Sequence, residues 1–205
     1  VYLYELLEKE KIATPASRLL FRSNENSFEE TACDLGAPFI VKIPDGSFSY
    51  GTYKVNSPED FAEATAALFT KSAIVLAQEF IPTEFDWRIG VLNGDALFAC
   101  KYYMASGHWQ IYNHAGKGKK QAGLVDTLPL YQVPPNVIKT ALKATSLIGK
   151  SLYGVDLKVV NNKVVVIEIN DNPNIDHKIE DAILGDELYY RVLNYFVRSL
   201  ELKSR

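Results

Sequence analysis

Three oxygen-bearing side chains stand where two apolar segments of the chain end: Asp156 in Gly154-Val155-Asp156-Leu157-Lys158, and Glu168 and Asn170 in the run Val164 to Pro173. A carboxylate in mid-strand among Val and Ile is costly unless something positive sits against it. Glu168 and Asn170 are two apart, which on a strand turns both to one face. One or two carboxylates with an amide suit Mg²⁺, whose remaining positions are usually filled by water and substrate phosphates. The pattern therefore points to metal-assisted nucleotide chemistry. Asn170-Asp171-Asn172-Pro173 is also good turn chemistry, but a turn leaves Glu168 unexplained.

Lys42 is flanked by Ile40, Val41 and Ile43, next to a Gly/Ser loop running from Pro44 through Ser47 to Gly51. Backbone N–H groups of such a loop can close over anionic oxygens, with Ser47 among them and the ammonium as a point charge. An edge lysine that deters strand pairing explains Lys42 equally well. Lys101 repeats the pattern at the end of Ala96–Cys100 and, with Lys42, would bracket a triphosphate. Gln78-Glu79-Phe80-Ile81, stopped by Pro82, can offer main-chain groups to an adenine edge. Asp86-Trp87-Arg88 puts an acid and a base on one strand face. It reads either as ribose or metal support by Asp86 with carboxylate capture by Arg88, or as a cross-strand ion pair.

These residues need a frame to hold them. Val1–Ile12 reads as a helix halted near Pro15, and Ser27–Leu35 as a second helix closed by Gly36. Pro38–Ile43 and Thr52–Val55 form a hairpin. Ser57-Pro58-Glu59-Asp60 is a capped helix start, with the helix running to about Lys71. Strands follow at Ile74–Phe80, Trp87–Leu92 and Ala96–Tyr103, the last two joined by the hairpin signal Asn93-Gly94. Ala105–Gly123 reads as a polar loop, Pro134-Pro135 opens a helix to about Gly149, and Ile179–Leu202 closes the chain as a helix broken near Gly185. The fold class expected is α+β in two lobes, 1–80 and 81–205.

Register decides whether the metal reading is possible. A two-residue turn at Asn161-Asn162 would pair Val160 with Lys163 and put Asp156 opposite Ile167, facing away from Glu168. A three-residue connection pairing Val160 with Val164, or one bulge between turn and site, brings Asp156 opposite Glu168. Local turn preference favours the first arrangement, and the chemistry requires the second outcome. We expect Asp156 opposite Glu168.

With 205 residues and 47% hydrophobic content, the chain can bury a full core. A net charge of −3 from 22 basic and 25 acidic residues leaves no field for nucleic acid as a main partner. Cys33 and Cys100 read as buried small hydrophobes in a reducing cytoplasm. No run has the length of a membrane span. His108, His114 and His177 lack metal-ligand spacing, and no Walker, nucleophile-elbow or Gly-x-Gly-x-x-Gly motif occurs. The chain begins with Val, so an upstream domain is expected, and a homo-oligomer is compatible with the sequence.

Taken in order, Lys42 with its loop, Gln78–Ile81, Asp86-Trp87-Arg88, Lys101, Tyr112-Asn113-His114-Ala115-Gly116, Gly154-Val155-Asp156 and Glu168–Pro173 resemble the ATP-grasp superfamily, with RimK-type glutamate ligases and glutathione synthetases the most similar. The resemblance implies two α+β lobes gripping ATP. It also implies Mg²⁺, or Mn²⁺ in its place, at Asp156, Glu168 and Asn170. Asn113 would approach the transferred phosphate. At Gln110 or Ile111 the chain departs from relatives, which carry an arginine there. The implied reaction is attack of a carboxylate on the γ-phosphate to give an acyl phosphate, captured by an amine from an amino acid or peptide. A nucleotide-binding regulatory module without turnover is the alternative. An all-β recognition domain fits neither the helices nor Glu168.

Overall fold

The computed structural model describes residues 2–44, 51–112 and 123–203. It contains two compact units, Val1–Glu5 with Thr14–Pro82, and Leu6–Ala13 with Thr83–Arg205. The loop with Ser47, and Asn113 and His114, lie outside the described residues.

In the first unit, α1 (Tyr2–Lys9) begins the chain and continues into the second unit, ending where Lys11 takes a positive φ of 56°. It stops short of the expected Ile12. Strand β1 (Ser17–Phe21) was not expected from sequence; it pairs with β4 (Ile74–Glu79), Ser17 opposite Gln78. Between them come α2 (Phe28–Leu35), β2 (Phe39–Lys42), β3 (Thr52–Val55) and α3 (Pro58–Phe69). The helices start where sequence chemistry says they should. Ser27 Oγ accepts from Glu30 N–H and Ser57 Oγ from Asp60 N–H, satisfying donors that each first turn leaves unpaired. The sheet is antiparallel in the order β1-β4-β2-β3. Phe39, Val41, Val55, Val75 and Ala77 line its core face with Phe61, Ala64 and Leu68 of α3. Cys33 is exposed, not buried as expected, because the core-facing stripe of α2 falls on Phe28, Thr31, Ala32 and Leu35.

The second unit is a five-stranded antiparallel sheet in the order β7-β6-β5-β8-β9. Its strands are β5 (Phe85–Leu92), β6 (Asp95–Tyr103), β7 (Val125–Leu128), β8 (Leu152–Val160) and β9 (Lys163–Asn170). Asn93 and Gly94 both take positive φ, as a tight hairpin between β5 and β6 requires. Helix α4 (Pro135–Ser146) packs on β5, β8 and β9 through buried Val137, Ala141 and Ala144. Helix α5 (Asp186–Lys203) is helical only after Gly185, at φ 55°. Residues 179–185 form turns instead of the expected first turns of that helix, and within them Asp181 Oδ1 accepts the N–H of Lys178.

The β8–β9 hairpin joins both arrangements weighed from sequence. Asn161 and Asn162 (φ 50° and 62°) make the two-residue turn, and Val160 pairs with Lys163, not Val164. One bulge then intervenes: Leu157 opposes Val166 while Asp156 opposes Glu168, leaving Ile167 extra. The added residue lets Val166 stay in the core and Glu168 turn to the other face.

Candidate functional site

Cross-strand partners share a sheet face, so the register of the second unit can be read as rows. Thr127, Cys100, Arg88, Asp156 and Glu168 form one row across all five strands. Gly90, Gly154 and Asn170 form the next row on that face, and Asp86 with Tyr102 lies on the other side of it. The two glycines leave room that side chains would fill. A Cβ on Gly154 would come 2.8 Å from Pro173 Cβ, and one on Gly90 would meet the Phe98 ring at 2.3 Å. The segment after β9 thus folds back across this face.

Arg88 is the centre of the row. Its Nε and Nη2 donate to Asp156 Oδ1 and Oδ2 at 2.8 and 2.9 Å, and Nη1 donates to Asn174 Oδ1 at 3.2 Å. The guanidinium lies over the Tyr102 ring, 4.8 Å from its centroid. Arg88 and Asp156 are each only 14% exposed. Burial works against the guanidinium charge, and Asp156 more than offsets it, so the Arg88 pKa stands above the ordinary arginine value. A second pair lies alongside. Lys158 Nζ donates to Asp86 Oδ1 at 2.5 Å and to Thr83 Oγ1 at 2.6 Å, and Thr83 donates to the same Oδ1. Burial pushes the Asp86 carboxyl up against the pull of Lys158.

The acid–base alternation of Asp86-Trp87-Arg88 therefore resolves into two cross-strand ion pairs to β8, with Lys158 the partner that the sequence did not flag. Arg88, read as a carboxylate grip, has its fork on Asp156. Lys101 is not brought to this face. It opposes Trp87 in register, on the other side of the sheet, with Nζ over the Phe85 and Trp87 rings at 4.7 and 5.2 Å.

In the first unit, Lys42 shares with Ile40, Lys54 and Gln78 the face opposite the helix-packed core. Lys54, also missed in the sequence, sits 4.0 Å over the Phe80 ring. Gln78 is buried and donates to Ser17 Oγ. The Glu79 N–H, expected to be open to a base edge, is bonded to Ala16 O, and its carboxylate accepts from Ala16 N–H. Phe80 and Ile81 lie just past the strand, both half-buried.

Residues 2–188 match the RimK-like ATP-grasp domain family. The chain belongs to that family. Among curated proteins, this RimK-like domain is 26% identical over 166 residues to "Probable alpha-L-glutamate ligase 2" of Pseudoalteromonas atlantica, covering 80% of the chain and 52% of that protein. It is also 25% identical over 197 residues to the "Probable alpha-L-glutamate ligase" of Halorhodospira halophila, covering 95% of the chain and 61% of the relative. The domain thus spans about half to three-fifths of these relatives' length. Among solved structures, it is similar to a D-alanine–D-alanine ligase from Bacillus anthracis, with TM-score 0.79 at 18% identity over 98% of the chain and 67% of the other. The same ligase complexed with ATP gives TM-score 0.72 at 16% identity, over 96% and 63%. The ATP-grasp resemblance and the α+β class read from the sequence both hold.

The donor set suits Mg²⁺ more than a softer metal. Among the described residues no three His, Cys, Asp or Glu side chains cluster, so a dedicated all-protein cage is absent there. Two carboxylates facing each other across β8 and β9, with the Asn170 amide one row away, match an ion that keeps water and phosphate among its ligands. Among the described residues no helix is long and apolar enough to cross a membrane.

Proposed function

We propose that this RimK-like domain is the ATP-grasp portion of an ATP- and Mg²⁺-dependent carboxylate–amine ligase that works through an acyl phosphate. The observation that carries the reading is the row Arg88–Asp156–Glu168, with Asn170 beside it on the same face. Two carboxylates brought face to face repel unless a cation lies between or beside them. Arg88 answers for Asp156, and a divalent ion beside the two carboxylates would ease their repulsion. Asp156, Glu168 and Asn170 would hold that ion, which when bound neutralises and aligns phosphate oxygens. The names of the relatives as glutamate ligases support an amino acid as the amine, the carboxylate partner being a small molecule or peptide.

The chain's own side chains have distinct tasks. Lys42, half-buried on the sheet face opposite the first unit's helix-packed core, would supply positive charge to the phosphates. Gln78 to Ile81 would hold the base, the backbone beyond Glu79 making edge contacts beside the Phe80 ring that carries Lys54. Among the described residues both donors to Asp86 go to Oδ1, which leaves Oδ2 for a sugar hydroxyl. Arg88 fixes Asp156 in orientation. Lys101, seated on aromatic rings on the other face, is left out of this assignment. Ser47 and Asn113 keep their proposed roles at the phosphates.

A second reading, a nucleotide-binding regulatory module, is favoured by the engagement of Arg88 with Asp156 and Asn174. The experiment that separates them incubates the complete protein with ATP, Mg²⁺ and a panel of amino acids and follows ADP and new amide products by mass spectrometry. ADP and a mass-shifted conjugate support the ligase. ATP binding without either product supports the module.

A further inference from the structure

Beyond the candidate ligands, one fully buried acid is tied to them by a continuous chain of contacts. Glu180 is 0% exposed and lies on the segment that folds back after β9. It accepts a hydrogen bond from the Tyr102 hydroxyl, and its other oxygen accepts the Asp176 N–H at 2.7 Å. Tyr102, itself buried, carries the Arg88 guanidinium on its ring face. Arg88 holds both oxygens of Asp156 and, through its third nitrogen Nη1, Asn174. Asn174 in turn donates to Asp176 Oδ2 at 2.9 Å, closing a ring from Glu180 through Tyr102, Arg88, Asn174 and Asp176 back to Glu180.

We infer that Glu180, Tyr102 and Asn174 are positioning residues that set the orientation of Asp156 through Arg88, and so control the affinity of the site for its divalent ion without touching the ion or the nucleotide. This deepens the proposed function and rests on the assignment of Asp156 to metal.

The physical case has two parts. A ligating carboxylate that is hydrogen-bonded by a fixed partner binds metal more tightly than one free to rotate, and loss of such outer partners typically costs about 10- to 100-fold in metal affinity. The partner must itself be fixed. Arg88 has rotatable bonds that would let the fork swing, and three contacts from different elements remove that freedom: the Tyr102 ring from β6, the Asp156 carboxylate from β8 and the Asn174 amide from the returning segment. Glu180 pins two of those at once, because it holds the Tyr102 hydroxyl and the backbone of the segment carrying Asn174. A buried carboxylate is expensive to keep with only two donors among the described residues, and a purely packing role would be served by Leu or Met. Its bond to Tyr102 makes sense as a means of fixing the ring on which Arg88 rests.

The test titrates Mg²⁺ into the full-length protein with a non-hydrolysable ATP analogue and follows binding by calorimetry. Metal-free nucleotide affinity and thermal midpoint are measured in parallel. Asn174→Ala, at a half-buried position, and Tyr102→Phe, which keeps the ring, should each raise the Mg²⁺ midpoint about 3- to 10-fold, below the range for removing a direct partner. Metal-free affinity should stay within twofold. Glu180→Gln, able to accept from Tyr102 through its amide oxygen, should recover part of what Glu180→Leu loses. Asp156→Asn is the control. If Asp156→Asn leaves the Mg²⁺ midpoint unchanged, the metal assignment falls and takes the inference with it. If Asp156→Asn shifts the midpoint while Asn174→Ala and Tyr102→Phe change only the thermal midpoint, the inference alone is overturned.

Discussion

On one face of the first unit's sheet, Lys42 and Lys54 stand without a carboxylate among the described residues, Lys54 resting on the Phe80 ring. On one face of the second unit's sheet, Arg88 is held by Asp156 and Lys158 by Asp86, all four nearly buried. A half-exposed lysine costs little to keep and gains an ion partner only when an anion arrives. A buried ion pair has already lost its hydration, and each member depends on the other. The first arrangement suits a group whose partner comes and goes with a ligand. The second suits a group whose orientation must be ready beforehand.

Breaking the paired side should have the largest effect. Asp156→Ala leaves the Arg88 guanidinium buried and uncompensated, which should destabilise the second unit by about 3–5 kcal/mol. The proposed Mg²⁺-dependent turnover should also disappear. Adding Arg88→Met should restore most of the stability but none of the turnover, since the stranded charge is gone and the ligand still missing. Urea unfolding of the single and double variants decides this. If the double variant is no more stable than Asp156→Ala, the pair is not what the loss of stability reports.

The next effect tests the floor on which the pair stands. Gly90→Ala places a methyl group 2.3–2.6 Å from three atoms of the Phe98 ring, so the ring or the strand must move. Overpacking of this kind costs about 1–3 kcal/mol. Because Gly90 adjoins the Arg88 row, its variant should also weaken metal binding, measured by Mg²⁺ titration. Full stability would mean that Phe98 has another place to go.

Lys42→Ala should do the opposite of Asp156→Ala. Stability should change by no more than about 0.5 kcal/mol, as for surface positions in general. A charged hydrogen bond to phosphate is worth about 1.5–3 kcal/mol, so ATP affinity should fall about tenfold or more. Isothermal titration with ATP and thermal unfolding of the same sample give both numbers. Unchanged affinity would return Lys42 to the role of an edge lysine.

How much of this was legible depended on how local the cause was. Ser27, Ser57, Pro58 and Asn93-Gly94 act within a few residues, and the elements they start or turn appear where the sequence puts them. Strand β1 was missed because Ser-Arg-Leu-Leu-Phe has no clean alternation and its pairing is with residues 74–78, far along the chain. The candidate site row was readable as three oxygen donors, and their common face followed from demanding that Asp156 meet Glu168. The bulge that delivers it leaves no signature in Val164-Val165-Val166-Ile167. Lys158 and Glu180 were invisible for the same reason: each looks like a solvated charge on an amphipathic segment until the register or the returning chain puts a partner in front of it.

The two cysteines extend the comparison to its smallest expected effect. Cys33, in the first unit, is exposed, while Cys100, in the second, is buried opposite Arg88, and burial pushes its thiol pKa up to about 11. In the unfolded chain a thiol titrates near 8.5. A group whose pKa is raised on folding contributes its stability fully below the unfolded value and loses it as pH rises toward the folded one. Stability should therefore fall between about pH 8.5 and 11, by roughly 1 kcal/mol at pH 9.5, before most tyrosines titrate. Denaturant midpoints at pH 7.5 and 9.5 should differ less in Cys100→Ala than in the parent. A thiol reagent at pH 8 should modify Cys33 at once and Cys100 only as fast as the second unit opens. Equal labelling rates for the two would mean that the face carrying Arg88 and Asp156 is open to solvent, and the contrast between a waiting lysine and a prepared ion pair would lose its physical basis.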